Sequence, residues 1–222
     1  MINFHIITIF PDAIKNYFDI SVLARAQKKK LIKINLYNPR DFTSDRHKKV
    51  DDRPFGGGPG MVMKVEPILK TIQFIKSKKR MRNTDVILLS PSGRQFNQKI
   101  AKDFANKYQD IIIICGRYEG MDERIKKVIS DLGFRVFSLS VGPYVLSGGE
   151  LAAAIIVDAV SRHIFGVLGK EESLEEKRFG IGVPVYTRPE IFEFKNKKYK
   201  VPKVLLSGNH EKIKNWKLSH KK

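Results

Sequence analysis

Residues 110–125 read DIIIICGRYEGMDERI. Four consecutive isoleucines and Cys115 run into a loop punctuated by Gly116 and Gly120, and from Met121 the apolar residues fall at helical spacing. A short β-rich run, a glycine loop and an amphipathic helix, in that order, form the repeating unit of an α/β domain whose sheet is mostly parallel and buried. The rest of the chain extends the same order. Strands are expected at 4–9, 31–37, 85–90, 110–116 and 134–141, all rich in Ile and Val. Helices are expected at 12–30, 66–80, 96–107, 121–132 and 150–164. No repeat of fixed period is present.

The pattern loosens past Gly169. The chain therefore divides into an α/β body over 1–168, a charged, glycine-bearing linker over 169–182, and a small basic unit over 183–222. In that last unit Ser207 or Asn209 can cap a short helix carrying Ile213 and Trp216. Hydrophobic residues make up 42% of the chain, enough for a packed core, so global disorder is excluded. No apolar run approaches the roughly 20 residues that span a bilayer. The N-terminal MINFHIITIFPDAI lacks the basic flank and cleavage site of a secretory signal. A single cysteine cannot form an internal disulfide, which fits a reducing compartment. The expectation is a soluble, cytoplasmic protein.

The formal net charge of +19 opposes compactness by self-repulsion and points to a polyanionic partner. The excess is clustered: residues 195–222 hold ten lysines against one acid, Glu211. Nucleic acid is the polyanion this charge best fits.

Three loops carry the chemistry. SPSGRQF follows the strand VILLS, and GRYEGMDER follows IIIIC. Ligands of open α/β sheets collect at the carboxyl ends of strands, so Ser90, Pro91, Gly93, Gly116, Tyr118, Glu119 and Gly120 converge on one candidate pocket. The third loop, VGPYVLSGGEL (141–151), leads into a helix with Gly148 and Gly149 at its start. A fourth segment, HKKVDDRPFGGGPGM (47–61), is not a P-loop, because Met61 follows Gly60 where Lys is required. No G-x-G-x-x-G follows the first strand, which removes a dinucleotide fingerprint. Its consecutive glycines still let the backbone approach a ligand or another subunit closely.

GRYEGMDERI, GPYVLSGGEL and VDDRPFGGGPGM, together with DAVSRHIFGVLG, YTRPEIF and VPKVLLSGNHEKIKNW, resemble the bacterial tRNA (guanine-N1-)-methyltransferases of the TrmD type. The blocks stand in the family's order from residue 1 to about 217. The resemblance implies a SPOUT fold with a C-terminal trefoil knot and a small helical C-terminal domain. It implies a homodimer with active sites shared between subunits, and methyl transfer from S-adenosylmethionine to N1 of guanine at tRNA position 37. S-adenosylmethionine is then expected against Leu88, Leu89, Ser90, Pro91, Gly93, Gly116, Tyr118, Glu119, Gly120, Val141, Tyr144, Leu146, Gly148 and Gly149. tRNA contacts are expected at His47, Asp51 and Arg53, and in the basic unit at Arg188, Lys203, Asn209, His210 and Trp216.

Guanine N1 carries a proton whose loss pushes charge onto O6, so such an enzyme needs a base at N1 and a fixed cation at O6. By the resemblance Arg162 is that cation, and Glu119 lies near the cofactor sulfonium and any magnesium-linked chemistry. The family's base is a linker aspartate, at whose place this chain has Lys177, with Arg178 replacing the following serine. Beside two carboxylates a lysine holds its proton, so Glu176, then Glu175, is the expected base. Pro143 also stands where the family has Asp, and the linker is short between Phe179 and Pro184. The alternative reading is a homologue that binds tRNA and S-adenosylmethionine with little or no turnover, because Lys177 replaces the aspartate.

Overall fold

Alternation along the strands decides how the sheet is covered. On β6 (Asp110–Ile114), Ile111 and Ile113 face one side and Ile112 and Ile114 the other, and all four are buried. β1 (Ile2–Ile7) and β5 (Thr84–Gln95) divide in the same way: Phe4, Ile6, Ile87 and Leu89 join the first side, and Ile7, Val86 and Leu88 the second. A sheet apolar on both faces needs helices on both. The first face is covered by α1 (Asp12–Phe18), α2 (Ser21–Lys28), α4 (Gln98–Lys107) and α6 (Glu150–Ser161). α3 (Val65–Lys78) and α5 (Arg124–Asp131) cover the second. With β2 (Ile32–Tyr37) and β7 (Arg135–Ser140) the strands run in the order β2-β1-β6-β5-β7, every pair parallel.

This computed structural model describes residues 1–78, 81, 83–169 and 182–220. The chain falls into two compact units, Met1–Leu168 and Gly169–Lys222.

The helix expected over 12–30 is two helices. The chain turns at Asp19–Ile20, and Ser21 adopts a left-handed φ of 53°. Gln27 Nε2 donates to the Phe18 carbonyl at 2.9 Å, satisfying an acceptor freed by the break. The two pieces then bury separate pairs, Ile14 with Phe18 and Leu23 with Ala26. β5 runs five residues past its expected end at 90. Leu89 and Arg94 both pair with Leu139, so residues 90–93 bulge out between them and the strand returns to the same neighbour. Gly93 permits that return, since a Cβ there would lie 2.6 Å from the Leu139 backbone. The glycine-rich segment is clasped at its base by a two-stranded antiparallel pair, β3 (Asp51–Asp52) with β4 (Val62–Met63).

The second unit contains strands as well as helices. β8 (Ile191–Phe194) and β9 (Lys197–Lys200) form an antiparallel hairpin. A short helix, Lys203–Leu206, and a longer one, His210–Ser219, follow. Asn209 caps the longer helix, its side chain accepting from the Lys212 backbone N–H at 3.0 Å.

Candidate active site

β5, β6 and β7 are neighbours in the sheet, so the segments at their carboxyl ends lie side by side. The β5 bulge, the loop after β6 and the loop between β7 and α6 enclose a cavity of about 490 Å³. That is within the roughly 300–1,000 Å³ of small-molecule sites. Leu88, Leu89, Ser90, Pro91, Gly116, Tyr118, Glu119, Gly120, Val141, Tyr144, Leu146, Gly148 and Gly149 line it together. Gly93 does not; it serves the strand crossing against Leu139.

The wall between the β6 loop and α6 is built by close backbone approach. A Cβ on Gly149 would lie 2.7 Å from Cys115 Cα and 3.0 Å from the Gly116 nitrogen, and Gly149 N–H donates to the Gly116 carbonyl at 2.9 Å. Only glycine allows that spacing. Tyr118 holds a φ of 59°, an uncommon conformation for a residue with a side chain, and leaves its ring half exposed at the cavity beside Tyr144.

A charged network that sequence reasoning missed locks this wall. Glu150, the first residue of α6, is buried; it accepts from Thr8 Oγ1 at 2.6 Å and faces Arg117 Nη2 at 2.9 Å. Arg117 Nη1 also donates to the Ser147 carbonyl at 3.1 Å, and its guanidinium lies over the Phe10 ring at 4.7 Å. The end of β1, the β6 loop and the start of α6 thus share one ion pair. The available signals were an acid directly after the glycine pair and an arginine in GRYEG, but nothing local joins them. Beside this network the Cys115 thiol is pushed well above its usual pKa, first by burial and then by the Glu150 charge.

Four charged side chains line the cavity: Arg117, Glu119, Glu123 and Lys126. Arg117 is committed to Glu150, and Lys126 pairs with Glu123. Arg124, the partner that would make Glu119 a structural loop carboxylate, binds Asp122 instead, at 2.5 Å, and holds the Asp122 carboxyl below its usual range. Among the described residues the Glu119 carboxylate has no ion-pair partner. Its backbone N–H donates to the Met61 carbonyl at 3.0 Å, and Met63 N–H donates to the Gly120 carbonyl at 2.9 Å. The glycine-rich segment is therefore fastened to the rim of the cavity.

Arg162 is elsewhere. It follows the last residue of α6, whose first residue adjoins the cavity; twelve residues at about 1.5 Å each put it roughly 18 Å away along the helix. On α6, Leu151 (61% exposed) and Ile155 (43%) form an uncovered i, i+4 pair. Nearby, Tyr17 O–H donates to Asp158 Oδ2 at 2.6 Å, and that bond pushes the Tyr17 pKa up to about 12.

Of the expected RNA contacts, His47, Arg53, Arg188, Lys203 and His210 are exposed, and Asp51 lies half-buried in β3 opposite Met63. Asn209 is occupied in capping. Trp216 is half-buried, stacked on His220 at 4.2 Å and edge-on to Tyr186 at 6.2 Å. Glu175, Glu176 and Lys177 lie outside the described residues. Among the described residues no group of three His, Cys, Asp or Glu side chains could hold a metal ion, and no helix is long and apolar enough to cross a membrane.

A family model described as tRNA (Guanine-1)-methyltransferase TrmD matches residues 2–222. A protein of Dictyoglomus turgidum, named tRNA (guanine-N(1)-)-methyltransferase, is 51% identical over 219 residues, covering 97% of this chain and 83% of that protein. Proteins of the same name from Clostridioides difficile and Campylobacter jejuni are 48% and 45% identical, covering 96% and 95% of this chain and 89% and 88% of theirs. With the match running through every loop of the cavity and on into the basic unit, the chain belongs to the tRNA (Guanine-1)-methyltransferase TrmD family.

Proposed function

We propose that this chain transfers a methyl group from S-adenosylmethionine to N1 of the guanine at position 37 of tRNA, in the cytoplasm, as a homodimer with shared active sites. The observation that carries the reading is the cavity at the ends of β5, β6 and β7, with one carboxylate on its wall, Glu119, that has no ion-pair partner among the described residues.

The residues present fit S-adenosylmethionine. The cavity has the right size, its wall is lined by Gly116, Gly148 and Gly149, and Tyr118 and Tyr144 also line it. Glu119 supplies a negative charge for a cationic ligand, and among the described residues no arginine or lysine pairs with it. When bound, that cofactor provides an electrophilic methyl group on a positively charged sulfur. Every other requirement falls on the protein. The N1 proton of guanine goes to a linker carboxylate, Glu176 first and Glu175 second. Negative charge developing on O6 is met by Arg162.

Arg162 cannot serve the cavity of its own chain across roughly 18 Å of helix. In a two-fold dimer it serves the partner's cavity, and the uncovered Leu151 and Ile155 on the same helix suit a second copy. The SPOUT-type knot belongs to this reading, supported by the family match. Magnesium has no cluster of ligands among the described residues, and no step here involves it.

The deciding assay combines purified protein, methyl-labelled S-adenosylmethionine and tRNA transcripts carrying guanine or adenine at position 37. Label is expected only on the guanine transcript, and Arg162→Ala is expected to lose transfer while keeping cofactor affinity. If both ligands bind and no label transfers, the chain is a binding homologue and the enzyme reading fails.

A further inference from the structure

The hairpin of the second unit sorts its side chains by chemistry. Cross-strand partners project to the same face, so Phe192 with Tyr199 and Phe194 with Lys197 form one side. Ile191 with Lys200 and Glu193 with Lys198 form the other, where Lys198 Nζ meets Glu193 Oε1 at 3.0 Å. The turn is Lys195–Asn196, with φ of 46° and 60°, the two-residue geometry that keeps the strands in register. One face is therefore an ion pair in water, and the other holds three aromatic rings, each more than half exposed. Lys195 extends over the Phe194 ring at 5.5 Å, and Lys197 stands on the same face of the hairpin, which carries no acid of its own.

We propose that this aromatic face is a stacking platform for unpaired bases of the tRNA substrate, an inference that rests on the tRNA methyltransferase reading above. Three features select the occupant. First, a protein surface covering the rings would bury Lys195 and Lys197 with no acid of this face to pair them, whereas an RNA strand brings its own phosphates. Second, flat rings on a sheet reach base faces only where the bases are splayed out, as in loops, and not within a duplex. Third, the Phe192 and Tyr199 centroids are 6.5 Å apart, nearly twice the roughly 3.4 Å rise of a stacked strand. That spacing suits consecutive bases of an extended strand, each resting on its own ring.

The test uses the full chain and a tRNA transcript. Phe192→Leu and Tyr199→Leu keep apolar bulk and remove the ring, Phe192→Tyr keeps the ring, and Lys197→Ala removes the charge. Affinity is measured at several salt concentrations. The leucine variants are expected to bind tRNA about tenfold more weakly with an unchanged salt slope. Phe192→Tyr is expected to bind like wild type, and Lys197→Ala to flatten the slope by about 0.7 to 0.9. S-adenosylmethionine affinity and the melting temperature, measured on the same samples, are expected to hold while KM for tRNA rises. Wild-type tRNA affinity in the leucine variants would overturn the platform, and so would a change in particle mass by light scattering in place of weaker binding, since that marks a protein interface. If wild type itself neither binds nor methylates tRNA, the underlying reading falls, an outcome distinguishable from the first two.

Discussion

Replacing Gly149 by alanine adds one methyl group where the cavity wall is closed by backbone against backbone. The new Cβ would lie 2.7 Å from Cys115 Cα, 3.0 Å from the Gly116 nitrogen and 3.1 Å from Cys115 Cβ. These are mostly backbone atoms, so no side chain can rotate away. Ordinary contact begins near 3.4 Å, and the β6 loop and α6 must separate by about 0.7 Å. Backbone strain plays no part, because Gly149 has φ −79° and ψ −5°, which alanine adopts freely. Overpacking of this kind costs about 1–3 kcal/mol, and alanine's better helix propensity returns less than about 1 kcal/mol. The expected net loss is about 1–2 kcal/mol, or roughly 2–8 °C in melting temperature for a chain of this size. The same shift moves Gly116 and Gly148 relative to each other, so cofactor affinity should fall with stability. A thermal melt and a calorimetric titration with S-adenosylmethionine measure both, with Gly169→Ala as control because no described residue lies within 4 Å of its Cβ position. If Gly149→Ala matches the control in both, α6 slides without cost and the close-packed wall is wrong.

Glu150→Gln should destabilise the chain by about 2 kcal/mol, below the range for fully buried pairs because Arg117 keeps about a fifth of its side chain in water. Urea midpoints measure it, and a loss under 0.5 kcal/mol would mean the pair is not structural. The Cys115 thiol stays protonated in the folded chain, whereas an unfolded thiol ionises near pH 8.5. Above that pH the unfolded state binds fewer protons, so stability falls by up to about 1.4 kcal/mol per pH unit; below it the thiol contributes no slope. Urea midpoints between pH 7 and 10 should therefore drop more steeply for wild type than for Cys115→Ala, and parallel curves would refute the buried thiol.

The layered α/β architecture was legible because runs such as IIIIC can be buried only in a sheet covered on both faces. The break between α1 and α2 was not, since apolar spacing continues through Asp19–Ile20 and the interruption depends on the left-handed Ser21 and a glutamine cap from Gln27. The β8–β9 hairpin was masked by its own lysines, which hide an alternating strand within a charge run. The cavity loops were readable because close backbone approach leaves glycines behind. The network beneath them was not, because Thr8, Arg117 and Glu150 come from three distant places and no local pattern predicts which acid finds which base. The place of Arg162 at the far end of α6 was already implied by the helix expected over 150–164, which begins at the glycine pair.

The Thr8–Glu150 bond joins residues 142 positions apart. During synthesis β1 leaves the ribosome first, yet the Thr8 hydroxyl has no acceptor from α6 until nearly the whole first unit has been translated. Contacts of such separation form late, after much chain entropy has been given up. A chain interrupted before Glu150 holds the residues of β1, β5 and β6 but lacks the helix that packs against Gly116. On the proposed function, the pocket for the methyl donor is therefore complete only once α6 has been made.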